Sequence, residues 1–348
     1  MAPHRLPLRL LLLALLARPS PANRLHSAAQ RGDTEAVAEL LGSADKSGIM
    51  PNCDCWWWGL RCEVCAVDDT HRAGLTPAMY AAAHGHAEIL RRLSNAGADL
   101  NLRNAEGNSA VMHAAIPGDA QVLEMLIKAG ADVGLANKDG WTPLLAAANQ
   151  GHDACLRLLV AAGADLNAQA KNGWGSVMYA AAQGHESTLE ILISRNANLR
   201  LENNEGATAV QVAAARGHIK CLKMLMAQLT LADLDHEDNE GYTAAMRTAK
   251  AGMPKVLRVI VKMGADLERE VNGKTAVLLA ASSGATECLR VLLLEGFVAW
   301  DEKEMRKHIR WGAKTRGHEE KLRAVIDERV ALDSGQRVEN EKTPSKEL

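Results

Sequence analysis

An all-α repeat solenoid, built of stacked helix-turn-helix units with hairpin or loop fingers between them, is the fold this sequence predicts. Three observations carry that expectation. Glycines recur at Gly74, Gly107, Gly140, Gly173, Gly206, Gly241 and Gly273, at spacings of 33, 33, 33, 33, 35 and 32. A second series keeps step with the first: Gly85, Gly118, Gly151, Gly184, Gly217, Gly252, Gly284 and Gly317. Apolar residues make up 47% of the 348 but aromatics only 3%, so alanine and leucine must form the core, which suits small helices in close rows. A fixed period of this length marks units that cannot bury an apolar face alone and share one core with their neighbours.

Each element of the unit has a physical reason. Between the two glycines lies a short alanine-rich helix, as in TPAMYAAAHGH at 76–86. Its paired alanines, such as Ala81-Ala82 and Ala147-Ala148, let neighbouring short helices approach closely. The second glycine falls where the chain reverses between two antiparallel helices, a place that favours positive φ. A longer helix follows, as in CLRLLV at 155–160, and leucine pairs such as Leu158-Leu159 and Leu292-Leu293 supply the bulk of the core. A polar stretch, Gly-Ala-Asp-Leu-Asn at 97–101 and again at 163–167, ends the unit.

The segments GLTPAMYAAAHGH, GWTPLLAAANQGH and GKTAVLLAASSGA closely resemble the repeat pattern of the ankyrin family. The resemblance covers about residues 23–332, about nine units counting terminal caps. The first unit, Asn23 to about Lys46, keeps Leu25-His26 and Ala28-Ala29. The last, near 306–332, carries His308, Arg310 and Lys314 where other units are apolar, as a cap facing water requires. One departure recurs. The family histidine that follows Thr-Pro-Leu is replaced by Met79, Met112, Leu145, Met178, Gln211, Met246 and Leu278. In the family that histidine hydrogen-bonds within and between repeat loops, so the resemblance implies loops less tightly tied here.

Both ends differ from the array. Residues 1–9 are short and basic, 10–17 (LLLLALLA) form a compact apolar run, and Ser20-Pro21-Ala22 offers small residues for cleavage. That order describes a secretory signal peptide over 1–22. An organelle transit peptide is the competing reading, since arginines are scattered through a stretch with no acidic residue before Asp33. The secretory reading predicts the ER lumen or secretion; without a working leader the protein is cytoplasmic. The terminal Ser345-Lys346-Glu347-Leu348 ends like an ER-retention tetrapeptide but has Lys where that signal has Asp. The charged tail, 333–348, is expected to be disordered.

About twenty residues are inserted between the first and second units, because Gly32 to Gly85 spans 53 positions instead of 33. The insertion, at 47–65, carries Cys53, Cys55, Cys62 and Cys65 around Trp56-Trp57-Trp58. In an oxidising compartment two disulfides are expected, crossing between the first and last pairs because adjacent bridges are strained. In the cytosol the four thiolates are candidates for a structural zinc, although Cys53-x-Cys55 makes a poor half-site. Unbonded loop thiols are the third reading.

The remaining chemistry dissolves under the period. Cys155, Cys221 and Cys288 stand two repeats apart at one slot on the longer helix, where cysteine acts as a small hydrophobe. His86, His152, His185, His218 and His318 share the slot after the inter-helix glycine and are too dispersed to converge on a metal. The acidic run Asp233–Gly241 fails as a calcium loop, with Gly241 at its ninth position and Ala244 at its twelfth. No phosphate loop or nucleophile elbow occurs, so no catalytic residue, cofactor or resident metal is expected. Forty basic against 42 acidic residues, net −2, leave no footprint for nucleic acid. No apolar run reaches the length of a spanning helix, so a membrane enters only through targeting.

What remains is a non-catalytic scaffold or adaptor for a protein partner, with no small-molecule substrate. By the ankyrin resemblance, partners dock on the fingers and on the concave face of the short helices. The finger slot before the Thr-Pro pair reads Leu75, Asn108, Trp141, Trp174, Ala207, Tyr242 and Lys274 in turn. Trp141, Trp174 and Tyr242 are the candidate anchors, with the two tryptophans expected about 10 Å apart. The polar rim is expected from Asn149, Gln150, Gln183, Arg216 and Lys250 at the ends of the short helices. Two alternatives are a substrate-presenting subunit of an enzyme complex and an intracellular regulatory scaffold with no functional signal peptide.

Overall fold

A computed structural model describes residues 21–42, 67–295, 303, 306 and 316–334. Most of the predicted leader, the four cysteines and three tryptophans of the insertion, His308, Arg310, Lys314 and the tail beyond 334 lie outside them. By packing, the chain divides into two compact units, Met1–Lys171 and Asn172–Leu348.

In the first unit, helix pairs follow one another in register. The short inner helices are Pro21–Arg31, Pro77–Ala83, Ala110–Ala115 and Pro143–Gln150. The outer helices are Thr34–Gly42, Ala87–Asn95, Ala120–Lys128 and Asp153–Ala161. Inner packs on inner and outer on outer, including the first pair on the second. The insertion therefore leaves the stacking of these pairs uninterrupted. The last three inner helices start at a built cap: Thr76, Ser109 and Thr142 accept hydrogen bonds from the amides of Met79, Met112 and Leu145. Proline follows Thr76 and Thr142 in the first turn, where its missing N–H costs nothing.

In the second unit the inner helices are Ser176–Gln183, Ala209–Arg216, Ala244–Ala251 and Ala276–Ser283, packed in that order. Their outer partners are Glu186–Ser194, Ile219–Met226, Pro254–Lys262 and Thr286–Arg290, the last running on as a π-turn over Val291–Glu295. The unit of 35 residues uses its extra length for a single-turn helix, Leu231–Leu234. Helix Arg316–Asp333 closes the stack, with Leu322, Val325 and Ile326 fully buried.

The core follows the alternation the sequence predicts, except that Leu156 and not Leu158 is buried beside Leu159. Alanines of the inner helices, such as Ala81, Ala147 and Ala213, and leucines of the outer ones, such as Leu90, Leu159 and Leu222, are wholly buried. The inter-helix glycines Gly85, Gly118, Gly151, Gly184, Gly217, Gly252 and Gly284 all take positive φ. Gly317 does not belong with them. It lies in the first turn of Arg316–Asp333, so the final cap is not a repeat of the same form. Among the described residues no strand forms; the fingers hold isolated bridges, such as His71 with Leu75 and Val271 with Lys274.

Candidate protein-interaction surface

The fingers are reversals closed by their own side chains. Asn104 Oδ1 accepts from the amides of Glu106 and Asn108 at 2.9 and 2.8 Å, and Asn137 Oδ1 from Asp139 and Trp141 at 2.9 and 3.0 Å. In the second unit Asn203 does the same for Glu205 and Ala207, and Asp238 for Glu240 and Tyr242. A side chain that mimics a backbone turn holds each loop in one shape. Trp174 is held differently. Asn172 Oδ1 takes its amide at 3.0 Å, Asn172 Nδ2 donates to the Tyr179 hydroxyl at 3.3 Å, and the two aromatic rings sit 5.2 Å apart.

Successive fingertips are then joined through the backbone. The amides of Ala105, Lys138 and Lys171 donate to the carbonyls of Ala73, Glu106 and Asp139 at 2.8, 2.9 and 2.9 Å. In the second unit Asn204 and Asn239 donate to Asn172 and Glu205 at 3.1 and 2.9 Å. This ladder changes the expectation of loose loops. The role of the family histidine survives at His26, which bonds the Leu75 carbonyl at 3.1 Å, and passes to Gln211, whose Nε2 donates to the carbonyls of Tyr242 and His236 at 2.7 and 2.8 Å. Met79, Met112, Leu145, Met178 and Met246 are buried at that position and give their slot to packing.

Three of the dispersed histidines, and the three cysteines, are structural. His86, His152 and His218 bond the carbonyls of Gln30, Ile116 and Ala182 at 3.2, 3.2 and 3.0 Å, each pinning the end of the preceding inner helix. Cys155, Cys221 and Cys288 are free and buried. Burial pushes the Cys155 thiol up to about 11 and that of Cys288 to about 12, and moves Cys221 the same way, so none is a ready nucleophile. Among the described residues no group of three His, Cys, Asp or Glu is placed to hold a metal, and no helix is long and apolar enough to cross a membrane.

The predicted binding residues fall in two sets. Trp141 is a partly buried finger residue of the first unit, with Asn149 and Gln150 ending its inner helix; Gln150 is exposed and Asn149 partly buried. Trp174, also partly buried, belongs to the second unit, as do the exposed Gln183, Arg216 and Lys250. Tyr242 is the exception to an exposed anchor, only 7% accessible. Arg247, Lys250 and Lys274 place their charges 5.1, 4.8 and 5.9 Å from its ring centre. Arg247 and Lys274 were not among the predicted contacts. The hint for Lys274 was its place in the same finger slot one repeat on; for Arg247 it was the nine-residue offset from Asp238, which also relates His113 to Asn104.

These features have counterparts in known proteins. A family model described as ankyrin repeats in three copies matches in overlapping stretches that together run from residue 25 to 300. The crystal structure of the human ASB11 ankyrin repeat domain is similar, with a TM-score of 0.54 and 28% identity, covering 59% of this chain and 92% of that one. Ankyrin repeats are in general non-catalytic modules for protein–protein interaction, and their stacking leaves one surface of each unit free for that use. With capped inner helices, a fingertip ladder and a repeat match across more than half its length, this chain belongs to the ankyrin-repeat family.

Proposed function

We propose that this protein is a non-catalytic adaptor that holds a protein partner on its fingers and on the exposed ends of its inner helices. One contrast carries the reading. Inner helix Pro143–Gln150 is buried from Pro143 to Ala148, yet ends in the exposed Gln150. The same change occurs at Gln183, Arg216 and Lys250. The exposed ends change from Gln150 and Gln183 to Arg216 and Lys250, while the buried residues just before them are mostly alanine, as at Ala147-Ala148, Ala180-Ala181 and Ala213-Ala214. A scaffold that repeats its core and varies its rim is free to specify a partner at the rim. Trp141 and Trp174 add partly exposed indoles to the fingers, the residue type most often found at binding hot spots.

The test is capture of partners from cell extract, identified by mass spectrometry, with wild type compared against Trp141→Ala, Trp174→Ala and the double variant. The double variant is expected to lose its specific partner, since a tryptophan hot spot is worth about 2 kcal/mol or more. Each single change should lower the melting temperature only slightly, Trp174→Ala because that ring rests on Tyr179 at the surface of the core. Undiminished capture by the double variant would place the site elsewhere.

A further inference from the structure

We infer that the second unit receives an acidic peptide segment of its partner, on a basic patch formed by Lys250 and Lys274 over Tyr242 and by Arg216 at the end of the neighbouring inner helix. The proposal rests on the protein-binding reading and names the chemistry of the partner at one part of that surface.

Charge is distributed unevenly over the inner helices. Pro77–Ala83, Ala110–Ala115, Pro143–Gln150, Ser176–Gln183 and Ala276–Ser283 contain no Lys, Arg, Asp or Glu. Apart from the first inner helix, Pro21–Arg31, which holds Arg24 and Arg31, only Ala209–Arg216 and Ala244–Ala251 carry charge, all of it positive: Arg216, Arg247 and Lys250. These two helices pack directly on one another. Lys274 joins them from the next finger, its Nζ 3.4 Å from the Tyr242 hydroxyl.

The cations are not equivalent. Arg247 is already neutralised, with its guanidinium 2.5 Å from the buried Asp238 carboxylate and 3.5 Å from Glu240. Among the described residues, no carboxylate lies within 4 Å of Arg216, Lys250 or Lys274; other exposed cations such as Lys223 and Lys255 share that property, but only at Tyr242 are two lysines gathered on one ring. The electron-rich face of Tyr242 gathers two lysines that otherwise repel each other. Asp238 and Glu240 are taken up by Arg247, so Lys250 and Lys274 leave a local positive potential that favours an anionic ligand.

The features favour carboxylates on a peptide over a nucleic acid. The Tyr242 ring is covered by its own cations and offers no face for a base to stack on. The fingertips beside it carry Glu205 and Glu240, both acidic, which oppose a continuous polyanion but tolerate spaced side chains. The whole chain is net −2, so the attraction is confined to this patch.

The full chain is titrated against a fluorescent peptide of about 12 residues alternating Glu and Ser, followed by anisotropy at about 50 and 300 mM salt. A Lys-Ser peptide and an oligothymidylate of matched charge run alongside. The Glu peptide should bind, weaken with salt, and lose about tenfold in affinity when Arg216, Lys250 and Lys274 are all changed to Gln, a variant whose melting temperature should stay near wild type. Lys250→Gln alone should lose part of that, and Lys255→Gln, an exposed residue of the outer helix Pro254–Lys262, almost none. No binding of the Glu peptide, full binding by the triple variant, or equally tight binding of the oligonucleotide would each overturn the proposal. If one of these occurs while wild type still captures its partner, only the acidic-segment reading falls; loss of all partner capture would remove the adaptor reading as well.

Discussion

At the scale of single residues, the period imposes two different demands on glycine, and they are separable. Gly163 has φ +87° and nothing within 4 Å of where a Cβ would stand. Gly140 has φ +78°, but a Cβ there would lie 2.9 Å from the Lys171 nitrogen and 3.2 Å from Ala170 backbone atoms. That nitrogen is itself committed, donating to the Asp139 carbonyl in the fingertip ladder. Gly163→Ala should therefore cost only the left-handed backbone term, about 1–2 kcal/mol. Gly140→Ala should cost that and a further 1–3 kcal/mol or so, because rigid backbone must move to make room. Chemical denaturation of the two variants measures the difference. Equal losses would mean that the fingertip ladder yields without cost. The sequence makes both glycines look alike; only the approach of the next finger tells them apart.

At the scale of elements, helix starts, reversals and the core face were legible because each depends on local chemistry repeated in phase. Thr142-Pro143 marks a start, Gly151 a reversal, and Ala147 the close approach of neighbours. What stayed hidden depends on contacts between repeats. Gln211 looks like a defect in the family pattern but reaches two carbonyls of the next finger. The basic patch is assembled from residues 24–58 positions apart, which no single motif displays. Gly317 kept its phase in the sequence but lies within a helix. The single-turn helix Leu231–Leu234 illustrates the same coupling and can be tested by pH. Asp233 accepts from the Thr230 amide and hydroxyl at 2.8 and 2.7 Å and pairs with Arg200 of the preceding loop at 2.5 Å. The Arg200 guanidinium holds the Asp233 carboxyl far below its ordinary 3.8. A depressed carboxylate contributes stability that is complete above its unfolded pKa and fades as pH falls toward the folded one. Asp233→Asn should thus lower stability by about 1 kcal/mol at pH 7, and the gap should close below about pH 4. Burial raises the pKa of Asp68 and Asp235, but both are common to the two proteins and cancel in the difference. A gap that persists unchanged at pH 2.5 or so would show that Asp233 acts through packing and not through its charge.

At the scale of the whole molecule, a stack that shares its core has to end on something that does not want a further neighbour. Helix Arg316–Asp333 fulfils that role in the second unit. Its buried face, Leu322, Val325 and Ile326, covers a stack end in which Leu289, Leu292 and Leu293 are themselves wholly buried. Its other face keeps exposed charge, including Arg323 paired with Glu319. Arg290 on the last outer helix meets Glu328 at 2.7 Å, and Arg329 donates to the Leu293 carbonyl. Each fully buried aliphatic side chain contributes about 1.5–3 kcal/mol, and removing the cap gives up its own three and uncovers those beneath. Ending the chain at residue 315 should therefore lower the melting temperature, raise binding of a hydrophobic dye and promote association through the bared leucines. Because deletion also removes charge, Ile326→Ala isolates the apolar part: a loss of about 2–5 kcal/mol is expected if the helix is an integral layer of the core. A truncated protein as stable and monomeric as the full chain, with Ile326→Ala near neutral, would mean that the stack ends at Glu295 and that the final helix rests on it without supporting it.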